Sequence, residues 1–233
     1  MNFFWSHNRK NVTENVFGIV YNKYCAVHSL IAPSGWHVAT NAEWNNLGTS
    51  YDNAYVFADV RTETVYSPTH ELKAVDGWSI QTRTPLPTNG SGMSIYPSGI
   101  VFGDGTKGGR QEFANFWTSD PAYYYFSTLI GAYKNIGYTN NTIYRHLQFY
   151  SVNHGFSLRL VKDSAVEWVE GTKLTDIDGN IYSAKLMADG KVWLTENYQT
   201  NTLRDGTPIT YLKNKTDWAN ANYPAFTHYN IIE

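Results

Sequence analysis

Turn-forming residues interrupt this chain so often that a long helix has nowhere to run. Short aromatic and β-branched runs alternate with Gly, Pro, Asn and Asp, and helical periodicity is scarce. The spacing predicts strands at "VFGIVYN", "GIVFG", "FANFWTS", "GFSLRLV", "NIYSAKLM" and "KVWLTEN". Asp178-Gly179 and Asp189-Gly190 each separate β-type runs, as hairpin turns require, so "TDIDGNIYSAKLMADGKVWLTENYQT" (Thr175 to Thr200) reads as a three-stranded meander. Two short helices are expected. In "VATNAEWNNLGTS", Thr40 caps the first turn, Glu43 reaches back to it, Ala42, Trp44 and Leu47 supply packing, and Gly48 ends the helix. The second lies near "NKTDWANANYP", stopped by Pro224. The fold class is therefore α+β, mostly antiparallel strands and long loops.

Composition narrows the function. With 233 residues the chain can bury its own core, and a net charge of -2 with scattered basic residues leaves no stripe for nucleic acid. Charged residues are only 16%, against 18 tyrosines and 8 tryptophans, so the polar surface relies on neutral hydrogen-bonding groups. A single cysteine, Cys25, excludes an intrachain disulfide and any multi-cysteine metal site, and is expected to be buried. The start, "MNFFWSHNRKNVTEN", shows no charged region followed by an apolar run, and no stretch of about twenty apolar residues occurs. Neither a visible export signal nor membrane insertion is expected.

Several patterns resemble chemistry and fail on context. "GDGTKG" (Gly103 to Gly108) fits a dinucleotide fingerprint, but a loop and a strand follow it where a helix should open. "DIDGN" hints at a calcium loop, yet position twelve would be Met187, so a hairpin turn is the better reading. The seven histidines form no H-E-x-x-H pair, and no G-x-S-x-G elbow exists.

One region stands out, Asp120 to His154. It carries Tyr123, Tyr124, Tyr125, Tyr133, Tyr138, Tyr144 and Tyr150 among Asn140, Asn141, Asn153, Arg145 and His146. Alternate tyrosines could pack into a sheet. Tyr also offers a large amphipathic contact at low entropic cost while Asn adapts its hydrogen bonds, which is the composition of recognition surfaces. These twelve residues are the candidate ligand-binding set.

The blocks "IAPSGWHVATNAEWNNL", "ELKAVDGW", "NGSGMSIYPSGI", "FWTSDP" and "GFSLRLVKD" resemble, in that order, the later blocks of the Fibrobacter succinogenes major paralogous domain. The Thr175 to Thr200 stretch and "RDGTPI" resemble its first block, so residues 1–163 correspond to later blocks and residues 164–233 to the first, in circularly permuted order. Both termini, "MNFFWSHNRK" and "PAFTHYNIIE", resemble the same junction, so the tail could complete its own chain or a neighbouring subunit. The resemblance implies a C-type-lectin-like fold and a non-enzymatic surface module. The formylglycine-generating enzymes share that fold class, but their cysteine pair or copper site cannot be built from Cys25 alone. The Glu-Pro-Asn, Gln-Pro-Asp and Trp-Asn-Asp motifs of calcium-dependent sugar binding do not occur. No catalysis, cofactor or obligatory metal is expected. In phage and bacterial relatives of this fold the stretch before the final strand faces the ligand, which corresponds here to Tyr123 to Asn153. That implies a virion protein recognising a bacterial surface polysaccharide or protein, with self-association or other virion proteins as partners. The alternatives are a surface or extracellular module of a Bacteroidota-type cell and a purely structural fibre or shell subunit.

Overall fold

The computed structural model describes residues 18–50, 55–58, 62–66, 69–79, 86–139, 142–146 and 151–229. The described residues begin with β1 (Ile19–Tyr21), α1 (Lys23–Ala26), β2 (Trp36–Val38), α2 (Asn41–Thr49), β3 (Tyr55–Ala58) and β4 (Thr62–Tyr66). Then come β5 (Ile100–Val101), β6 (Lys107–Gly108), β7 (Phe113–Trp117), β8 (Tyr123–Tyr125), β9 (Thr128–Ile130), β10 (Tyr133–Gly137) and β11 (Thr142–His146). The remainder supplies β12 (Leu160–Lys162), β13 (Lys173–Thr175), β14 (Ile181–Leu186), β15 (Val192–Leu194), β16 (Thr210–Tyr211), α3 (Lys215–Asn220) and β17 (Ala225–His228).

Two five-stranded sheets, ordered β13-β14-β15-β12-β2 and β3-β4-β11-β10-β7, are antiparallel throughout. A third sheet, β1-β17-β16, contains one parallel pair, β16 with β17. The architecture is α+β and rich in antiparallel strands. Strands after residue 163 pair with strands before it in the same chain: Val161 faces Trp193 and Val20 faces Thr227. One apolar cluster accordingly draws on Tyr21, Trp117 and Phe156 together with Tyr182, Leu194 and Phe226. A second cluster packs the α2 side chain of Trp44 against Phe116 and Trp193, with ring centroids 4.9 and 5.0 Å apart. The first 17 residues, and with them the whole of the N-terminal junction, lie outside the described residues.

Local rules account for the elements. The meander turns are present, and Gly179 and Gly190 hold φ of 83° and 77°, which a side chain would resist. Asp176 anchors the first turn: its Oδ1 accepts from the N–H groups of Asp178 and Asn180, and its Oδ2 from the Tyr182 hydroxyl at 2.7 Å. The capping box on α2 is formed, with Thr40 Oγ1 accepting from the Glu43 N–H and Glu43 Oε2 from the Thr40 N–H. Two expectations there need correction. Gly48 is a buried helical residue, and α2 runs on to Thr49, where the Thr49 and Ser50 hydroxyls donate to the carbonyls of Asn45 and Leu47. Ala42 is exposed, because the inward face is Trp44, Leu47 and Gly48. The helix at Lys215–Asn220 ends before Pro224, while α1 is additional: Asn22 caps a single turn too short to show periodicity.

Candidate functional site

The sequence motifs first gather charge. His37, on β2, donates from Nδ1 to Asp163 Oδ1 at 2.6 Å and from Nε2 to Glu43 Oε1 at 2.9 Å, and Lys191 Nζ reaches the same Glu43 oxygen at 3.1 Å. The Glu43 hydrogen bond, aided by Asp163, raises the His37 pKa against burial. Burial alone would raise Glu43, but hydrogen bonds from His37 and the Thr40 N–H bring it down to about 2. With both imidazole nitrogens committed to carboxylates, neither can serve as a base. The array clamps β2 to α2 and to the turn before β15.

Arg159 is likewise internal. It is buried, and its guanidinium donates to Asn197 Oδ1, to the carbonyls of Met93 and Leu194, and to that of Ser94, all at 2.9–3.0 Å. Burial lowers its pKa to about 9. Burial also lowers the pKa of Lys23, whose Nζ donates to the Thr118 carbonyl at 2.6 Å, to about 7.

Outward chemistry lies elsewhere. The β8–β9 hairpin projects aromatic rings: Tyr124 is 74% exposed and Phe126, at the tip, 89%. Phe126 sits at φ 51°, a left-handed conformation costly for a bulky side chain. Tyr123 is also exposed. The base of the hairpin is tied to the segment after β11 by an Ile130–Ser151 bridge and by the Val152 N–H donating to the Leu129 carbonyl. That segment borders an open recess of about 560 Å³ lined by Phe102, Gly103, Asp104, Thr106, Ser151 and His154.

Of the twelve expected site residues, the structure exposes Tyr123 and Tyr124 on the hairpin. Tyr125 belongs to β8, and Tyr144, Arg145 and His146 to β11, but their side chains lie outside what is described, as do Asn140, Asn141 and Tyr150 entirely. Tyr133 is a core residue: it is 2% exposed, with its ring 4.9 Å from Phe156. Tyr138 is half-buried against the second apolar cluster, and Asn153 Nδ2 donates to the Ala219 carbonyl at 2.6 Å. Strand pairing explains this placement, since β10 is covered on both sides and turns its tyrosine inward. Phe126 and the recess were missed. Phe126 lies within Asp120 to His154, where a phenylalanine carries no compositional signal beside the tyrosines and asparagines. "GDGTKG" is the β5–β6 hairpin, with Gly105 at φ 79°. Among the described residues no group of three or more His, Cys, Asp or Glu could hold a metal ion.

Taken together, this is an antiparallel α+β domain whose motif residues are satisfied internally, while short hairpins carry the exposed aromatic groups. The chain belongs to the Fibrobacter succinogenes major domain family, whose model matches residues 2–162. Membership points to a surface or binding module. No curated protein and no solved structure matches the chain.

Proposed function

We propose that the protein is a non-enzymatic binding and display module whose contact surface is the β8–β9 hairpin, on a C-type-lectin-like body in circularly permuted order. The observation that carries this reading is the pair Tyr124 and Phe126, at 74% and 89% exposure on one short hairpin. Scattered apolar residues on a surface are ordinary, but large rings held outward at a strained turn are the anchors that recognition surfaces use. The target is a bacterial surface glycan or protein, and the setting a phage virion, as receptor-binding fibre or decoration. Self-association or contact with other virion proteins accompanies that role. The second setting is the surface of a Bacteroidota-type cell, in keeping with a family of surface or binding modules. A net charge of -2 supports neither nucleic acid nor an anionic membrane as partner.

The test is attachment of labelled protein to candidate host cells, with Tyr124→Ala/Phe126→Ala beside the unaltered chain. Loss of attachment at an unchanged unfolding midpoint is expected. Attachment that survives the double substitution would remove the hairpin from the contact surface. Failed particle assembly with attachment intact would assign the rings to a structural subunit.

A further inference from the structure

We infer that the recess between the β5–β6 turn and the segment Ser151–His154 is a subsite for a single neutral pyranose. This deepens the proposed binding role by naming a ligand class and a second place for it. It rests on that reading only in supposing that the chain binds rather than catalyses.

The recess has the parts such a ligand needs. Asp104 Oδ1 accepts from the Thr106 N–H at 2.9 Å and from the Thr106 hydroxyl at 2.6 Å, which fixes the carboxylate and leaves Oδ2 open to accept from sugar hydroxyls. The Thr106 bonds also lower the Asp104 pKa, so it stays ionised and acceptor-only. Phe102 and His154 form an aromatic corner, with centroids 6.0 Å apart and planes at 78°, against which the C–H face of a pyranose can lie. His154 Nδ1 donates to the Ser151 carbonyl at 3.1 Å, and burial lowers its pKa to about 4, so the ring is neutral near pH 7 and brings no charge to the wall. The Ser151 hydroxyl adds a group that both donates and accepts.

Two glycines keep the space open. A Cβ on Gly103 would come 2.9 Å from Ser151 Oγ and 3.3 Å from His154 Cε1, projecting between two of the lining residues. Gly105, at φ 79°, turns the chain so that Asp104 and Thr106 share one side of the hairpin. A volume of about 560 Å³ has room for one sugar ring, and its openness to solvent leaves the outer hydroxyls of that ring hydrated. The fixed carboxylate disfavours an acidic sugar, because like charges would meet across the recess.

The experiment uses the full chain, ¹⁵N-labelled, titrated with the methyl glycosides of glucose, galactose, mannose and N-acetylglucosamine, and with methyl glucuronide. At least one neutral glycoside should bind with millimolar Kd and shift the amides of residues 102–106 and 151–154. Asp104→Asn should weaken it about tenfold, the loss of one charge-assisted acceptor. Gly103→Ala, which has an ordinary backbone conformation to replace, should abolish it. Asp104 is exposed, so Asp104→Asn keeps the fold and decides the matter if Gly103→Ala does not fold. Absence of shifts with every neutral glycoside, shifts confined to other residues, preference for the glucuronide, or undiminished binding by Asp104→Asn would each overturn the assignment. Tyr124→Ala/Phe126→Ala should leave these shifts intact. A silent recess combined with lost attachment in that variant removes only the sugar subsite. Glycoside shifts combined with undiminished attachment remove only the hairpin surface.

Discussion

Arg159→Leu is the substitution that most directly tests how the two halves of the sequence are held together. The guanidinium is buried, and burial, only partly countered by the charge of Glu196, lowers its pKa from 12.5 to about 9, so keeping the charge there costs roughly 5 kcal/mol. Four hydrogen bonds at 2.9–3.0 Å offset that cost, each contributing about 1.5–3 kcal/mol for a charged donor. Leucine removes both the charge and the bonds, but strands the Met93 and Ser94 carbonyls and Asn197 Oδ1 in the interior at about 1–3 kcal/mol apiece, partly relieved by water entering the gap. The expected net loss is about 3–5 kcal/mol, at least a fifth of the roughly 5–15 kcal/mol that a domain commands. Urea unfolding followed by tryptophan fluorescence reads it, with a lower midpoint and an unchanged slope. Arg159→Lys should fall between, near 2 kcal/mol, because a single ammonium cannot span acceptors on opposite sides. A loss below about 1 kcal/mol for the leucine variant would show that burial cost and hydrogen bonds cancel, and would refute the claim that Arg159 ties the Met93–Ser94 loop to β15.

The His37 array predicts stability that falls off on both sides of neutrality. The raised His37 pKa gives a contribution fully present below about 6.5 and lost as pH climbs through the folded-state value, while Glu43, lowered to about 2, contributes above 4.5 and loses it as pH falls toward 2. Urea midpoints across pH should show both limbs, and His37→Asn should flatten the alkaline one. Burial raises the Cys25 thiol pKa, so the native protein should resist a thiol reagent that titrates one cysteine after denaturation. Tyr133→Ala should cost about 3–5 kcal/mol through the cavity it leaves beside Trp117 and Phe156, a loss the urea midpoint would register.

The sequence declared its turns and caps because these are local. Asp-Gly pairs and a Thr-x-x-Glu box act within five residues, and the meander and α2 follow from them. Strand β10 gives no signal in the sequence because no period of two survives there: Tyr133, Lys134, Ile136 and Gly137 are all buried, and Lys134 enters the interior by donating to Asn45 Oδ1 at 2.6 Å. The recess was invisible for a different reason. Asp104 and His154 meet only because β5 binds the chain at Gly155 through the Val101–Gly155 bridge, a contact about which neither local stretch is informative. Composition pointed to Tyr123, Tyr124 and Tyr125 of the four aromatic residues on the hairpin, and of these Tyr123 and Tyr124 are exposed. The inward turn of Tyr133 depends on what β7 and Phe156 place around it.

Phe126 carries the sharpest consequence of this division between internally satisfied motifs and outward hairpins. A phenylalanine at φ 51° bears a left-handed strain of about 1–2 kcal/mol, which glycine would relieve at an unfolded-state entropic cost of about 0.5–1 kcal/mol. The ring, 89% exposed, recovers little of that by burial. Phe126→Gly should therefore leave the urea midpoint unchanged or raise stability by up to about 1 kcal/mol, while attachment to target cells falls. Strain kept at an exposed aromatic tip, against a cheaper residue, is what a contact surface requires and a scaffold does not. If Phe126→Gly instead lowers stability by more than about 1 kcal/mol, the ring belongs to the packing of the hairpin, and its exposure ceases to argue for a partner.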